Sequence, residues 1–160
     1  MTGVIAPCLW FDGQAEEAAR FYVDLFGGSI DAVSHYGDGM AAPAGTAMLV
    51  AFTLRGRPFQ ALNGGPQFPF TEAISLSVAC ADQAEVDRLF DALTADGGTP
   101  SRCGWVKDRY GLSWQLVPQS VIAMHASGDS AAIGRMMAAM MPMGKLDVAK
   151  LEAAFGGEAI

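Results

Sequence analysis

The apolar residues of this chain follow two periods, alternation in short runs and helical spacing between them. The first run, Val4–Phe11, predicts a buried strand. The helix predicted after it has Asp12 as its candidate N-cap and Gly27-Gly28 as its end. Its apolar stripe consists of Ala15, Ala18, Tyr22 and Leu25. Three more strands are predicted, over Ser29–Tyr36, Thr46–Arg55 and Arg57–Asn63.

The second half of the chain opens in the same way. A strand with one apolar face is predicted where Ile74, Leu76 and Val78 alternate with smaller residues. Asp82 and Glu85 then have the spacing of a capping box, which predicts a helix start. The helix stripe is Val86, Leu89, Phe90 and Leu93, and Gly97-Gly98 predicts the helix end.

An aromatic hairpin is predicted next, with strands at Cys103–Lys107 and Leu112–Val117. Alternation assigns Leu112, Trp114 and Leu116 to the core face. The opposite face carries Ser113, Gln115 and Val117, and we interpret it as the wall of a cavity with a few polar groups. The tip, Lys107, Asp108 and Arg109, is interpreted as a solvated turn.

An internal repeat links the two halves. Gln14-Ala15-Glu16 recurs as Gln83-Ala84-Glu85, and Phe21 recurs as Phe90, both at a separation of 69 residues (83 − 14 = 90 − 21 = 69). We therefore predict an α+β fold of paired βαβββ modules at about 1–66 and 72–118, which form one domain over 1–118. The second module shows one strand fewer in its sequence pattern. A helical extension is predicted over 119–160.

Methionines dominate this predicted extension. Ser130–Met141 places Ile133 and four methionines at helical spacing, and Asp147 is a candidate cap for a last helix. The stripe has two interpretations, packing against the rest of the domain or a surface for a second subunit.

Composition narrows the function classes. The chain has 160 residues, 51% hydrophobic, and a formal net charge of −7 without a basic cluster, which argues against nucleic acid or an anionic membrane as partner. The sequence shows neither a membrane-length apolar run nor a signal peptide pattern. Cys8, Cys80 and Cys103 are odd in number and widely spaced, which is typical of reduced thiols in a cytoplasmic protein.

Three stretches carry a resemblance to a known superfamily: residues 7–22, PCLWFDGQAEEAARFY, residues 61–68, ALNGGPQF, and the hairpin at 103–118. With the paired modules, they resemble the vicinal oxygen chelate superfamily, which includes glyoxalase, bleomycin-resistance proteins and extradiol dioxygenases. More narrowly, the chain resembles the PhnB-like branch, often labelled 3-demethylubiquinone-9 3-methyltransferase. The resemblance implies curved sheets that form a ligand cavity between modules, and a homodimer.

The resemblance also implies where a metal would be bound. Catalytic members hold one divalent metal with His or Glu from the first and last strand of each module. Carried over by position, the last-strand ligands fall on or near Gln60 and Gln115, and the first-strand positions fall near 5–7 and 73–75. None of these residues is His, Asp or Glu. A neutral amide is a poor ligand for a transition metal, so we predict no metal, no cofactor, and two amides that hydrogen-bond a polar ligand.

Other candidate residues for the binding site each have a structural alternative. Trp10 and Trp105 are core residues or pocket walls, and Asn63 either caps its own turn or faces the pocket. His35 is an exposed or core-edge residue, or a general base that faces the cavity. Cys8, Cys80 and Cys103 are interpreted as core thiols, and His125 as structural.

The favoured hypothesis is a metal-free protein that binds a small organic molecule. The first alternative is a lyase, isomerase or dioxygenase whose metal has unusual ligands such as His35, Glu72 and Cys8. The second is the methyltransferase of the branch label, although no glycine-rich loop stands between a strand and a helix as in many S-adenosylmethionine enzymes.

Overall fold

A computed structural model describes Gly3 and residues 5–158 of the protein. The chain forms two compact units, Met1–Phe70 and Thr71–Ile160. In the part of the chain that the structure describes, no helix has both the length and the apolar character needed to span a bilayer.

The first unit is a βαβββ module. Its elements are β1 (Cys8–Phe11), α1 (Ala15–Phe26), β2 (Gly28–His35), β3 (Ala47–Leu54) and β4 (Arg57–Asn63). The sheet order is β1-β4-β3-β2, with β1 parallel to β4 and the other pairs antiparallel. The helix packs on one face of this sheet, because its buried stripe meets the buried residues of β3.

The second unit repeats this plan and adds helices. Its elements are β5 (Ser75–Cys80), α2 (Gln83–Thr94), β6 (Thr99–Pro100), β7 (Trp105–Lys107), β8 (Ser113–Pro118), α3 (Gln119–Ala126), α4 (Ser130–Met140) and α5 (Val148–Gly156). The sheet order is β5-β8-β7-β6, which matches that of the first unit strand for strand. The predicted α+β fold with paired βαβββ modules is therefore confirmed. The strand that the sequence pattern did not show is β6, which has two residues.

The C-terminal helices form a small core of their own against the end of the second sheet. Its buried members are Val121, Met124, Met136, Met140, Leu146 and Leu151. Val117 of β8 and Cys103 pack against this cluster. The methionine stripe is thus packed inside the second unit, in agreement with the packing interpretation, while Met141 is 53% exposed.

Backbone and side-chain hydrogen bonds tie this extension to the module. The amides of Cys103 and Gly104 donate to the carbonyls of Met143 and Gly144, at 2.7 and 2.9 Å. Gln83, the first residue of α2, accepts from the Val148 amide at 2.8 Å and donates from Nε2 to the Leu146 carbonyl at 3.0 Å. One side chain therefore holds both ends of the turn that precedes α5.

Two predictions at the start of the chain were wrong. The first strand begins at Cys8 instead of Val4, and Val4 itself lies outside the described residues. Asp12 does not cap α1, because the helix starts at Ala15 and its first turn receives a side chain from elsewhere in the unit. The predicted caps Asp82 and Asp147 are confirmed, and each accepts from a backbone amide three residues on.

Candidate functional site

Each sheet has one face covered by its helix and one face that is not. On the first sheet, we name the uncovered side the first open face; its residues are Cys8, Trp10, Ala51, Gln60 and Leu62. Strand pairing places Gln60 between Cys8 of β1 and Ala51 of β3. Gln60 is half-buried, and its side chain has no hydrogen-bond partner among the residues that the structure describes. A ligand on this face would meet an amide with both its donor and its acceptor available.

Trp10 is fixed beside this amide by the glycine pair after β4. Its indole Nε1 donates to the Gly65 carbonyl at 2.8 Å, and its ring meets Phe68 edge-on with 5.0 Å between centroids. The ring lies directly over Gly64, where an added Cβ would be 2.1 Å from the Trp10 ring. Only glycine fits there, which explains the Asn-Gly-Gly sequence physically. Trp10 is half-buried and presents a rigid aromatic surface next to Gln60.

Asn63 is occupied by the architecture of the first unit. Its Oδ1 accepts from the Ala15 amide at 2.9 Å, and its Nδ2 donates to the Ala47 carbonyl at 2.9 Å. The side chain is 6% exposed and thereby caps α1 from the end of β4. Its predicted role in ligand binding has no support from this geometry.

His35 lies away from Gln60. It is exposed at the end of β2, an edge strand that β3 separates from β4. Trp10 and Gln60 therefore lie close together on neighbouring strands, whereas His35 lies on an edge strand away from them. Cys8, interpreted from sequence as a core thiol, is exposed on the first open face, whereas Cys80 is buried as predicted. Desolvation around the Cys8 sulfur raises the pKa of its thiol, which leaves less thiolate at neutral pH.

The uncovered side of the second sheet, the second open face, consists of Ser75, Ser77, Trp105, Lys107, Ser113 and Gln115. Gln115 pairs with Trp105 on one side and Ser77 on the other. Its Nε2 donates to the Ser75 hydroxyl at 2.7 Å, and its carbonyl oxygen has no partner among the described residues. The alternation predicted from sequence is confirmed, because Leu112, Trp114 and Leu116 are buried on the opposite face.

A small recess opens on this second face, beside Trp105. Its volume is about 120 Å³, and its lining includes Thr99, Ser101, Lys107 and Ser113. Lys107 forms an ion pair with Glu72 at the rim, and that hydrogen bond holds the pKa of the Glu72 carboxyl below its ordinary value. Sequence reasoning missed the recess, because β6, which supplies Thr99, is too short to leave a pattern.

The prediction of a solvated hairpin tip is wrong for Asp108, although Arg109 beside it is exposed. Asp108 is 3% exposed and accepts from the amides of Tyr110 and Leu112 at 2.9 and 3.0 Å. Its other oxygen accepts from the Trp114 indole at 2.8 Å. The buried carboxylate therefore stabilises the turn through these hydrogen bonds. The sequence did not indicate this role, because the residues next to Asp108 are polar.

The donor set does not fit a divalent metal at the positions implied by the superfamily. Within residues 5–158 and Gly3, no three side chains of His, Cys, Asp or Glu are grouped closely enough to hold one. The ligand set His35, Glu72 and Cys8 is wrong, because β1 and β2 are opposite edges of a four-stranded sheet and are about 14 Å apart at ordinary strand spacing. Cys8 is also level with Ala32 across the sheet, so His35 lies farther away still. The open faces instead offer amides, hydroxyls and indole rings.

Comparison with known proteins decides the family. The model of the 3-demethylubiquinone-9 3-methyltransferase family matches residues 3–117. The chain belongs to this family. The PhnB protein from Bacillus cereus, which carries the same family description, is 34% identical, with a TM-score of 0.67 over 72% of this chain and 99% of its own.

Two further solved structures are similar to the chain. Protein PA1353 from Pseudomonas aeruginosa is 26% identical, with a TM-score of 0.60 over 73% of this chain and 98% of its own. A possible glyoxalase from Bacillus cereus shares only the fold, at 14% identity and a TM-score of 0.50 over 73% of this chain and 99% of its own. A search of curated proteins found no match. The resemblance to the PhnB-like branch is confirmed.

The family is named for a methyltransferase, and the position of the glycine pairs is relevant to that activity. Gly27-Gly28 and Gly97-Gly98 follow helices, and Gly64-Gly65 lies under Trp10 and leads into a loop. None of these pairs stands between a strand and a helix N-terminus, where a glycine-rich loop would bind a nucleotide-like cofactor. The described residues thus offer no such loop to S-adenosylmethionine.

Proposed function

We propose that this member of the family binds a small organic molecule through the open faces of its sheets and uses no divalent metal. The observation that supports the proposal is that Gln60 and Gln115 lie in β4 and β8, the last strands of the two modules, where the resemblance implies metal ligands in catalytic members of the superfamily. Each amide is half-buried beside a tryptophan, Trp10 or Trp105. Aromatic surface with a few polar groups is typical of small-molecule sites.

Each amide keeps hydrogen-bonding capacity for a ligand. Gln60 has its whole amide available, and Gln115 has its carbonyl oxygen available. The matching ligand is neutral or weakly polar, with an aromatic or apolar part that packs on indole and a group that can both donate and accept. Binding of this kind needs shape and stacking but no catalytic base. Ligand sequestration therefore suits the site better than a proton-transfer reaction.

The test is a screen of small metabolites by NMR, with the side-chain amide signals of Gln60 and Gln115 and the indole signals of the tryptophans as reporters. We expect saturable shifts that persist in EDTA and disappear in Gln60→Ala or Gln115→Ala. Arg20→Gln, which breaks an exposed helix pair with Glu16, is the matched control and should bind as the wild type does.

Two results would overturn the proposal. One is near one equivalent of Zn, Ni, Mn or Fe in protein purified without chelator, together with ligand binding that EDTA abolishes; this favours the metal-dependent enzyme. The other is micromolar binding of S-adenosylmethionine by calorimetry, which favours the methyltransferase of the family description. The homodimer and the cytoplasmic location remain predictions; light scattering of the purified protein tests the former.

A further inference from the structure

The recess beside Trp105 is lined in part by the Ser113 side chain. Ser113 is 2% exposed and lines the recess, and its side chain has no hydrogen-bond partner among the described residues. Because this hydroxyl opens on the recess, it can donate a hydrogen bond to a ligand there or accept one from it.

The positive charge at the rim, the Lys107 ammonium, forms an ion pair that a ligand could replace. Lys107 pairs with Glu72, and the two side chains are 40% and 64% exposed. An ion pair this exposed contributes little to stability, because water and salt screen both charges. A carboxylate that entered the recess could replace Glu72 at small cost and keep the Lys107 ammonium paired.

The remaining lining favours an anion over a cation. Thr99 and Ser101 add hydroxyls to that of Ser113, and Glu72 at the rim is the only acidic side chain among the described residues of the lining. Once Glu72 is displaced, the recess presents one ammonium and three hydroxyl groups that can donate. Its 120 Å³ equals about four water volumes at ~30 Å³ each, enough for a carboxylate with one or two carbons.

We propose that this recess binds the carboxylate of a small organic acid, paired with Lys107 in place of Glu72 and hydrogen-bonded by Ser113. The rest of the ligand then lies over Trp105 toward Gln115, its direct cross-strand neighbour. This inference rests on the proposed small-molecule function and names its ligand class: an acid with an apolar or aromatic body.

Phenylacetate and its neutral analogue phenylacetamide are the probes. Each is titrated into the ¹⁵N-labelled full chain while the Trp105 indole and the Ser113 amide signals are followed. We expect saturable shifts with phenylacetate, and binding of phenylacetamide weaker by about tenfold, as for loss of a charge-assisted hydrogen bond. Weaker binding at high salt is expected as well.

Three variants distinguish an effect of charge on phenylacetate binding from an effect of altered structure. Lys107→Gln should weaken phenylacetate binding by about tenfold, and Glu72→Gln should strengthen it severalfold because a competing carboxylate is gone. The double variant Lys107→Gln/Glu72→Gln should remain weak, which excludes simple repulsion by an unpaired Glu72. Lys145→Gln is the matched control, since Lys145 is also in ion pairs but lies outside the recess lining.

The outcomes distinguish this inference from the proposed function. Equal binding of the acid and the amide, or phenylacetate binding that Lys107→Gln leaves unchanged, overturns the carboxylate site while the small-molecule function stands. Absence of binding by phenylacetate overturns the carboxylate site as well. A metabolite screen that leaves the signals of Gln60 and Gln115 unmoved is a separate result, which counts against the broader function.

Discussion

The Trp114 indole donates a hydrogen bond to the buried carboxylate of Asp108 at 2.8 Å. Asp108 lies six residues earlier in the chain and also accepts hydrogen bonds from the backbone amides of Tyr110 and Leu112. One side chain thus closes the hairpin and anchors the largest core residue of β8. The polar tip is therefore a structural centre of the second unit.

Asp108→Ala should lower the free energy of unfolding by about 3 kcal/mol, because a buried indole N–H and two backbone amides lose their acceptor. Asp108→Asn should cost less, since its one remaining oxygen can still accept. Urea unfolding followed by tryptophan fluorescence measures both. Asp38→Ala, in an exposed loop, is the matched control and should stay within about 0.5 kcal/mol of the wild type. Equal effects at positions 38 and 108 would contradict the assigned role.

Gly64→Ala should destabilise the first unit by about 1–3 kcal/mol, because the new methyl group would overlap the Trp10 ring. The ring would have to leave its hydrogen bond with Gly65, so the near-ultraviolet circular dichroism of Trp10 should change too. Gly134→Ala is the opposite case, since Gly134 lies within α4 with nothing within 4 Å of an added Cβ. That substitution should stabilise by about 0.5–1 kcal/mol. A destabilising Gly134→Ala, or a neutral Gly64→Ala, would count against this account.

Asn63→Ala should destabilise the protein by about 2 kcal/mol, through the lost cap of α1 and an unpaired Ala47 carbonyl. Asn63→Asp keeps an acceptor for the Ala15 amide but loses the donor, so it should fall between Ala and the wild type. Thermal unfolding checks the order. Stability unchanged in Asn63→Ala, with ligand binding lost, would instead support the binding role predicted from the sequence.

The ion pairs of Lys145 make the stability of the fold depend on pH, and the pKa shifts determine the sign of that dependence. The Asp91 and Asp87 carboxylates raise the pKa of Lys145, while the Gln83 side chain and then Lys145 lower that of Asp87. A lowered carboxyl pKa stabilises the fold above its ordinary value of 3.8 and stops doing so as the pH falls through the folded-state pKa. A raised lysine pKa stabilises the fold below 10.5, and this contribution is lost as the pH rises through the folded-state pKa.

The Tm difference between wild type and Lys145→Gln should therefore be largest at neutral pH and shrink toward pH 3. Differential scanning calorimetry between pH 3 and 8 measures it. The difference should also shrink in 1 M NaCl, since both partners are exposed and the Debye length there is only about 3 Å. A difference that grows on acidification would contradict the sign derived above.

The sequence predicted those helices and strands in which buried residues recur at a regular period. Residues 86–93 and 112–117 show one face to the core at a regular period, so their pattern alone indicates a helix and a strand. The internal repeat then predicted the paired modules. The two amides, Gln60 and Gln115, followed from strand position and resemblance, and both lie half-buried on open sheet faces.

What the sequence missed depends on partners that are distant along the chain or on elements too short for a period. The α1 cap comes from Asn63, 48 residues after Ala15, so Asp12 was the wrong choice despite its suitable side chain. Asp108 looked solvated because its neighbours are polar, yet its acceptors face inward. The recess needed β6, whose two residues carry no alternation.

Gln14 and Gln83 occupy the same place in the two halves of the chain, but only Gln83 holds the turn before α5. The two halves therefore differ in function at this amide, because only the second one uses it to hold the C-terminal extension. A hybrid with two copies of the first module followed by residues 119–160 would lack the Gln83 amide that holds the turn before α5. Attachment of the C-terminal helices therefore depends on which module comes second in the chain.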